Sequence, residues 1–333
     1  MASGSKMPPS ESLMSLAYDA LRVFVNWQRE RRLHKVRERK QAARKATGLL
    51  AAGGGYFVEG GHSLAIRVDG SIACWGDNEI GEAPPDGVPG NFVAIAAGLY
   101  HSLALRVDGS IACWGDNGDG QAPPAGIPGN FVAIAAGLYH SLALRVDGSV
   151  ACWGDNENGE APPDGVPGNF VAIAAGGAHS LALRVDGSVA CWGDNENGAA
   201  PPDGVPGNFV AIAAGGAHSL ALRVDGSIAC WGDNENGEAP PDGVPGNFVA
   251  IAAGGAHSLA LRVDGSVARW GYNENGETPP ADIPGNFVAI AAGGAHSLAL
   301  RVDGSVACWG DNENGEAPPA GVSGPFRVTR ADL

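Results

Sequence analysis

Apolar runs of strand length alternate with short turns along most of the chain, and one unit shows the pattern clearly. Residues 170–176 (FVAIAAG), 179–185 (HSLALRV) and 188–193 (SVACWG) are mostly apolar and too short for ordinary helices. Their apolarity is nearly continuous, whereas a half-exposed strand would alternate apolar and polar positions. The pattern predicts short strands that are covered on both faces, as in a sheet packed between two neighbouring sheets.

Glycine-containing turns join these three runs into one antiparallel unit. Residues 176–178 (GGA) separate the first two runs, and Asp186-Gly187 separates the last two. Glycine readily adopts the positive φ that a tight hairpin requires, so the unit is predicted to be a three-stranded meander. The following segment, residues 194–207 (DNENGAAPPDGVPG), is rich in Pro and Gly, which predicts a surface crossing to the next unit and a fourth strand that is short or absent.

The unit recurs with a period of 39 residues. The period is marked by His62, His101, His140, His179, His218, His257 and His296, and by Trp75, Trp114, Trp153, Trp192, Trp231, Trp270 and Trp309. One thin sheet cannot bury both of its faces, so the copies must stack on one another. Seven copies fit a closed ring, and the predicted fold is an all-β, seven-bladed β-propeller of three- to four-stranded antiparallel blades.

The two ends of the repeat region differ from its middle. The first copy lacks the Phe-Val-Ala-Ile run, and residues 324–330 (GPFRVTR) align in register with residues 168–174 (GNFVAIA). We therefore expect the C-terminal strand to complete the first blade and to close the ring, which removes the open sheet edge. The predicted propeller domain spans residues 51–333.

Residues 1–50 are predicted to form a separate basic helical arm. Ser10 is a suitable N-cap, and a helix is expected to continue to about residue 46. Its apolar stripe has helical spacing and consists of Leu13, Leu16, Ala20, Phe24 and Trp27. Its basic half contains Arg29, Arg31, Arg32, Lys35, Arg37, Arg39, Lys40, Arg44 and Lys45.

The net charge of −15 conceals a contrast between this arm and the repeats. Residues 1–50 hold 11 Lys and Arg against 4 Asp and Glu, and the remaining residues hold 10 Arg against 32 acids. The acidic ring is expected to repel nucleic acid. The arm has two interpretations: it contacts nucleic acid or an anionic membrane, or it lies as a strap on the acidic ring.

The repeated polar residues favour structure over chemistry. Each His lies in a separate blade with only Ser repeated beside it, so no base, nucleophile and orienting acid converge, and no enzyme is predicted. The cysteines are predicted to be buried free thiols, because packed sheets separate them by more than a disulfide allows. They are Cys74, Cys113, Cys152, Cys191, Cys230 and Cys308. The acidic loops, such as residues 155–160, place Gly one residue too early for the helix-loop-helix calcium pattern, and neither a metal nor a cofactor is predicted.

The repeat resembles a known family. The copies carry Gly-Gly-Ala-His-Ser-Leu-Ala-Leu, Val-Asp-Gly-Ser-Val-Ala-Cys-Trp-Gly-Asp-Asn and Asn-Gly-Glu, which are similar to the regulator of chromosome condensation repeat. The resemblance covers residues 54–330 and implies a seven-bladed propeller. The short crossings, with Pro before each new blade, resemble those of bacterial beta-lactamase inhibitor propellers, whose blades are three-stranded.

The resemblance also bears on activity. Exchange factors of this family use an inserted wedge, and no insertion is expected between the near-identical copies here, so exchange activity is not the first hypothesis. The family's plant ultraviolet-B photoreceptor senses light through Trp in a Gly-Trp-Arg-His element. The corresponding element here is Gly-Gly-Ala-His, for example before Ser180, so the resemblance does not extend to that chromophore.

Departures from the repeat carry the strongest functional signal, because a site on identical blades would be repeated in all of them. Leu99-Tyr100 and Leu138-Tyr139 replace Gly-Ala before His in the second and third copies. Exposed Tyr and Leu are typical of protein-binding surfaces. The resemblance to the beta-lactamase inhibitor propellers implies that the rim carrying these turns is the docking face. The predicted partner-binding residues are Leu99, Tyr100, Leu138, Tyr139 and Tyr272. The alternative, that these two copies merely drifted together, stays open.

The sequence therefore predicts a non-enzymatic scaffold for protein–protein interaction, which binds a partner through one rim of the propeller and makes a second contact through the arm. The alternative is a regulator of a partner's activity, by guanine nucleotide exchange on a small GTPase or by inhibition of a beta-lactamase-like enzyme. No small-molecule substrate is expected. The chain lacks a bilayer-spanning apolar run and the order of a secretory signal, so an intracellular, cytoplasmic protein is expected, with nucleus and organelle as alternatives.

Overall fold

The computed structural model describes residues 48–55, 60–278 and 285–328. The predicted basic helix and all of its stripe and charged residues lie outside the described residues, so that part of the fold stays a prediction. None of the described residues forms a helix, and consequently none of them forms a helix that could cross a membrane.

The described residues form seven three-stranded antiparallel sheets, each with its strands in chain order. Blade 1 contains β1 (Leu50–Ala52), β2 (His62–Ile66) and β3 (Ile72–Gly76), and blade 2 contains β4 (Phe92–Ala97), β5 (His101–Arg106) and β6 (Ile111–Gly115). Blade 3 contains β7 (Phe131–Ala136), β8 (His140–Arg145) and β9 (Val150–Gly154), and blade 4 contains β10 (Phe170–Ala175), β11 (His179–Arg184) and β12 (Val189–Gly193). Blade 5 contains β13 (Phe209–Ala214), β14 (His218–Arg223) and β15 (Ile228–Gly232). Blade 6 contains β16 (Phe248–Ala253), β17 (His257–Arg262) and β18 (Val267–Gly271), and blade 7 contains β19 (Phe287–Ala292), β20 (His296–Arg301) and β21 (Val306–Gly310).

The predicted all-β, seven-bladed fold is confirmed, and the number of strands per blade is three. A fourth element is reduced to one bridging residue at the outer edge of the third strand. In blade 4, Val205 exchanges two backbone hydrogen bonds of 2.9 Å with Val189. Pro206 follows at once and has no N–H to continue the ladder, so pairing ends there. The bridging residues are Val88, Ile127, Val166, Val205, Val244 and Val322.

The middle strand of each blade is covered on both faces, as its continuous apolarity predicts. In blade 3, Leu142 and Leu144 are buried in a core that also contains Phe170 and Ala182 of blade 4. The innermost strands carry mainly Ala, and neighbouring ones such as β10 and β13 contact each other. Small side chains allow this approach, so the first strand of each blade lies nearest the ring axis.

Blade 1 closes the ring with residues from both ends of the repeat region. Phe326 bridges Arg67 as Phe92 pairs with Arg106 in blade 2, and the Arg327 N–H donates to the Ile66 carbonyl at 2.9 Å. The rest of the innermost strand is β1, in which Leu50 pairs with Ala65.

The expected register holds at Phe326, but the C-terminal segment supplies only the start of this strand. Alignment of residues 324–330 with residues 168–174 would place Thr329 at the position of Ile173. Leu50 holds that position instead, because it pairs with Ala65 as Ile173 pairs with Ala182. The innermost strand of blade 1 is therefore shared between two distant segments.

The two ends of the ring receive different connections. The turns between first and second strands lie at one end, together with the start of each crossing, and we name this end the crossing face. The turns between second and third strands, such as Asp186-Gly187, lie at the other end, which we name the Asp-Gly face. An antiparallel meander requires this separation, since consecutive turns lie at opposite ends.

One connection on the crossing face is longer than expected. Nine residues, 53–61, join β1 to β2, whereas three residues, 98–100, join β4 to β5. This longer connection lies within the first copy, before His62, and not between copies, where the 39-residue step is kept. Residues 56–59 of this connection are outside the described part of the chain.

On the Asp-Gly face the charged side chains are bound locally. The Arg184 guanidinium lies 5.8 Å from the centre of the Phe170 ring, and its Nη1 is 3.3 Å from the Ser188 hydroxyl. The Asp186 carboxylate accepts hydrogen bonds from the Ser188 N–H and hydroxyl. Arg and Asp thus order the same turn, and each blade brings one of each to this face.

Candidate functional site

A closed circle of hydrogen bonds joins all seven blades just below the crossing face. In each step the Nε2 atom of a His meets the hydroxyl of a Ser in the next blade, for example His179 and Ser219 at 2.9 Å. We name this set the His–Ser circle. Its pairs are His62–Ser102, His101–Ser141, His140–Ser180, His179–Ser219, His218–Ser258, His257–Ser297 and His296–Ser63. The last pair joins blade 7 to blade 1.

The hydroxyl hydrogen fixes the protonation of these imidazoles. Ser219 donates to the Ala199 carbonyl at 3.0 Å, and the Trp231 Nε1–H donates to the same oxygen at 2.8 Å. The Ser219 oxygen is then left to accept, so His179 must carry its proton on Nε2. Ser219 and Trp231 of blade 5 thus both form hydrogen bonds to the crossing that follows blade 4.

Burial keeps these imidazoles neutral. Desolvation is the main cause that lowers the pKa of His179 from 6.5 to about 4 and that of His218 to about 3, where the neighbouring His257 and His179 add to the effect. The Nδ1 atom of His218 has no hydrogen-bond partner. The predicted structural role of the His-Ser pairs is confirmed, although they bind across blades and not within turns.

The cysteines are free and fully or partly buried, as predicted. Burial raises the pKa of the Cys152 thiol to about 12. Blade 6 carries Arg269 in the corresponding place, where its Nη1 donates to Thr278. Within the described ranges, no group of three or more potential metal ligands lies together.

The two departing turns lie side by side on the crossing face. The Leu99 N–H donates to the Leu138 carbonyl at 3.3 Å, and the Leu138 N–H donates to Gly177 of blade 4 at 3.4 Å. Tyr139 is 37% exposed and Tyr100 is half-buried. Leu99 is only 1% exposed, so the expectation of an exposed Leu is wrong at this position.

Tyr272 lies apart from these turns. It follows β18 in blade 6, where other crossings begin with Asp, and its hydroxyl donates to the Glu274 carboxylate at 2.8 Å. Blades 4 and 5 separate it from Tyr139 in blade 3. The structure therefore does not bring Tyr272 together with the other predicted partner-binding residues.

Two further residues beside Tyr100 were missed from the sequence. Ile80 is 51% exposed in the crossing from blade 1, and Glu82 is buried at 0% exposure two residues later. The Glu82 Oε2 atom accepts the Ile80 N–H at 3.0 Å. A signal was present, because the other crossings carry Asn or Asp where blade 1 has Ile80.

We name this region the tyrosine sector. It consists of Ile80, Glu82, Leu99, Tyr100, Leu138 and Tyr139 on blades 1 to 3. The surroundings of Gly115 show that the Tyr100 turn and the first crossing lie close together. A Cβ atom added to Gly115 would collide with the Tyr100 carbonyl and would lie 3.1 Å from the Glu82 Cβ. Tyr100 and Glu82 therefore flank the same glycine.

An axial cavity opens beside the tyrosine sector. Its volume is about 550 Å³, and its wall is mostly Ala and Gly from the innermost strands, with Leu138 on one side and Asp233 and Glu235 on another. In blade 5, a Cβ on Gly216 would collide with the Gly255 carbonyl, whereas blades 2 and 3 carry Leu99 and Leu138 at the equivalent positions. Gly177, Gly216 and Gly255 line the cavity in blades 4 to 6, and Leu138 lines it in blade 3.

The crossing face is strongly acidic. The first residues of the crossings contribute Asp77, Glu79, Asp116, Asp119, Asp155, Glu157, Asp194, Glu196, Asp233, Glu235, Glu274, Asp311 and Glu313, without any Lys or Arg in these loops. Burial raises the pKa of Tyr100, and neighbouring Tyr139, Asp77, Glu82 and Glu79 act in the same direction. The phenol of Tyr100 thus lies within the field of these carboxylates.

The fold and the repeated interior define a propeller built from near-identical blades. The family model described as the regulator of chromosome condensation (RCC1) repeat matches residues 92–121, 131–160, 170–199, 209–238, 248–277 and 287–316. These matches cover more than half of the chain, so the chain belongs to the regulator of chromosome condensation repeat family. A search of curated proteins gave no match.

Solved structures agree with this assignment. The CRINKLY WD40 ectodomain of the receptor kinase ACR4 from Arabidopsis thaliana is 25% identical, with a TM-score of 0.64 and coverage of 83% of this chain and 98% of that chain. The ectodomain of the receptor kinase CR4 from Physcomitrella patens is 26% identical, with a TM-score of 0.63 and coverage of 79% and 73%.

A third neighbour supports the fold alone. Prp20p from Saccharomyces cerevisiae, described with its binding to Gsp1p and histones, is 24% identical, with a TM-score of 0.58 and coverage of 72% of this chain and 76% of that chain. The resemblance of the blades to beta-lactamase inhibitor propellers stays a prediction from their short crossings.

Proposed function

We propose that this propeller is a non-enzymatic interaction module that binds a protein partner through the tyrosine sector. One observation carries the proposal: Ile80, Tyr100 and Tyr139 depart from the repeat, and all three lie on the crossing face of blades 1 to 3. Exposed aromatic and aliphatic side chains in a cluster are typical of protein-binding surfaces.

The interior of the ring supports this use. The His–Ser circle and the Trp side chains bind every seam between blades, so the turns above them are held on a rigid framework. Preorganised turns lose little conformational entropy on binding. The structural neighbour Prp20p is described with protein partners, which agrees with an interaction role without naming a partner for this chain.

The basic arm belongs to the same proposal as a second contact. Its net positive charge suits nucleic acid, an anionic membrane or the acidic ring itself. Salt titration of DNA and of anionic vesicles against the full chain and against a chain lacking residues 1–47 separates these contacts. If removal of the arm abolishes salt-sensitive binding to DNA or to vesicles, the arm contacts that external partner.

The test compares the full chain with a variant that restores the repeat, Ile80→Asn with Tyr100→Ala and Tyr139→Ala. These residues occur at the equivalent positions of other blades, so the ring should stay folded. The matched control, Val146→Ser with Val185→Ser, changes two exposed residues on the Asp-Gly face. Affinity purification with mass spectrometry should show proteins that bind the parent and the control and are lost from the variant. Identical sets for all three chains would overturn the proposal.

A further inference from the structure

We propose that Tyr100, together with Asp77, Glu79 and Glu82, binds a lysine or arginine side chain of a polypeptide partner. The proposal rests on the function proposed above and adds the chemistry of the partner. The site lies at the seam between blades 1 and 2, where the first crossing passes beside the turn that carries Tyr100.

Charge is the first argument. Asp77 is half-buried and Glu79 is exposed at the surface of this crossing, while Glu82 lies beneath them. The crossing is ordered and not a loose acidic loop: Asn78 accepts the Ala83 N–H at 2.9 Å, and Asp77 accepts the Glu79 N–H at 3.2 Å. Three carboxylates on one fixed loop attract a cation and repel an anion.

The buried carboxylate is the second and independent argument. The Oε1 atom of Glu82 is buried and has no hydrogen-bond partner, while its Oε2 atom accepts the Ile80 N–H. A buried carboxylate oxygen without a donor or a nearby cation is unfavourable. A cation held just above it would offset that cost, since the field of a buried charge is poorly screened by solvent.

Comparison of the seams shows that this arrangement occurs once among the described residues. At each seam, the residue before the His of one blade lies near the residue that the preceding crossing carries at the position of Glu82. The seven pairs are Tyr100 with Glu82, Tyr139 with Gln121, Ala178 with Glu160, Ala217 with Ala199, Ala256 with Glu238, Ala295 with Glu277, and Gly61 with Glu316. Only the first pair combines an aromatic ring with a carboxylate.

The seam beside blade 3 is the informative contrast. Its Gln121 is neutral, and its amide donates to the Asp116 carboxylate at 2.9 Å. The Gln121 side chain forms this hydrogen bond within its own loop, so it needs no donor from a partner. Glu82 cannot do the same, because an ionised carboxylate has no proton to donate.

The aromatic ring and Ile80 select the kind of cation. A Lys ammonium or an Arg guanidinium gains a cation–π interaction at a Tyr face, worth about 0.5 to 1 kcal/mol at an exposed site. The aliphatic stem of either side chain needs an apolar surface, and the exposed Ile80 offers one in the same loop. A bare inorganic cation would use neither Tyr100 nor Ile80.

The experiment uses the full chain and a labelled synthetic peptide in which four lysines are spaced by Gly-Ser, with an acetyl-lysine version as the uncharged probe. Glu82→Gln should weaken binding of the lysine peptide about five- to tenfold. Tyr100→Ala should weaken it about two- to fivefold, which corresponds to the cation–π interaction alone. The matched control is Glu160→Gln, which removes the same charge from an equally buried position beside Ala178. It should weaken binding by less than about twofold.

Each outcome bears on the proposal. Equal weakening by Glu82→Gln and Glu160→Gln would show that only the overall acidic field attracts the peptide and would overturn the site, as would undiminished binding of the acetylated peptide. Both test residues occur naturally at the equivalent positions of other blades, and unchanged melting temperatures confirm folding. If no lysine peptide binds while the tyrosine-sector variant still loses protein partners, the cation site is wrong and the proposed function stands.

Discussion

The His–Ser circle and the tyrosine sector lie against each other, yet they differ in every respect that matters for function. His101 is fully buried, repeated in every blade and bound to Ser141. Tyr100 immediately precedes it, occurs in only one other blade, and is half-buried on the acidic face. One turn therefore carries both a residue that closes the ring and a residue free to vary.

The difference teaches that repetition and departure report different constraints. A His or Ser of the circle forms a hydrogen bond to the neighbouring blade, so a substitution there leaves a buried polar group without a hydrogen-bond partner. A position on the crossing face touches solvent, and other blades tolerate Ala in place of Tyr100. Residues that are identical in all blades thus explain the stability of the ring. Residues that differ from the repeat indicate where a partner is recognised.

Acid should have the largest effect, because it acts on the whole circle. Unfolded histidines bind protons below pH 6.5, whereas the folded ones stay neutral until about pH 4 or 3. The unfolded state then binds more protons, so stability falls as pH decreases below 6.5. The cost reaches roughly 3 to 5 kcal/mol per histidine by pH 3, which exceeds total stability when summed over the circle.

Thermal melts between pH 7.5 and 4 provide the measurement. The pKa values of buried Glu82 and Glu316 are raised above 4.5, so these carboxyls favour the folded state as the pH falls and oppose the loss. A net loss of stability between pH 6.5 and 5 therefore belongs to the histidines. A melting temperature that stays level down to pH 5 would contradict the neutral, Nε2-protonated circle.

Removal of residues 324–333 should have the next largest effect, because it opens the ring at blade 1. Phe326 and Arg327 are buried, and the Arg327 guanidinium donates to the Phe92 and Val68 carbonyls at 3.3 and 3.1 Å. We expect a loss of about 5 kcal/mol in the free energy of unfolding, since burial of one Phe alone is worth about 3 to 5. Urea unfolding measures it, and removal of residues 329–333 alone is the control.

Ser180→Ala should have an intermediate effect. The hydroxyl accepts the His140 Nε2–H and donates to the Glu160 carbonyl at 3.0 Å, so its loss leaves a buried imidazole N–H without an acceptor. The expected cost is about 1 to 3 kcal/mol. Ser149→Ala removes a hydroxyl from an exposed turn and should cost less than about 0.5 kcal/mol. Similar costs for the two variants would show that the circle contributes little.

Tyr100→Ala with Tyr139→Ala should have the smallest effect on stability, because blades 4 to 7 carry Ala at these positions. The free energy of unfolding should change by less than about 1 kcal/mol. A larger loss, measured by the same urea titration, would mean that these rings support the seams, and the separation between circle and sector would fail.

Most of the fold follows from the sequence for a physical reason. A 39-residue unit with continuous apolar strands can be buried only by its own copies, so the period and the number of copies determine the architecture. The split first strand of blade 1 was harder to predict. Leu50 and Phe326 lie far apart in sequence, and only the closed ring shows that they share one strand.

The candidate site was predicted in part. Sequence comparison among the copies identified Tyr100 and Tyr139, because a departure is visible wherever the other copies agree. It did not show that Leu99 is buried, since the packing of a turn against its neighbour depends on the ring geometry. Glu82 was hidden for the opposite reason: it conforms to the repeat, and only its contact with the Tyr100 turn makes it unusual.

Each His of the circle contacts a Ser of the blade that follows it around the ring, so all contacts run in the same rotational sense. Such a loop has neither a first nor a last member. It would be satisfied equally well by one repeat more or fewer. The circle therefore helps to hold blade 7 against blade 1, while the number of copies in the sequence sets the number of blades.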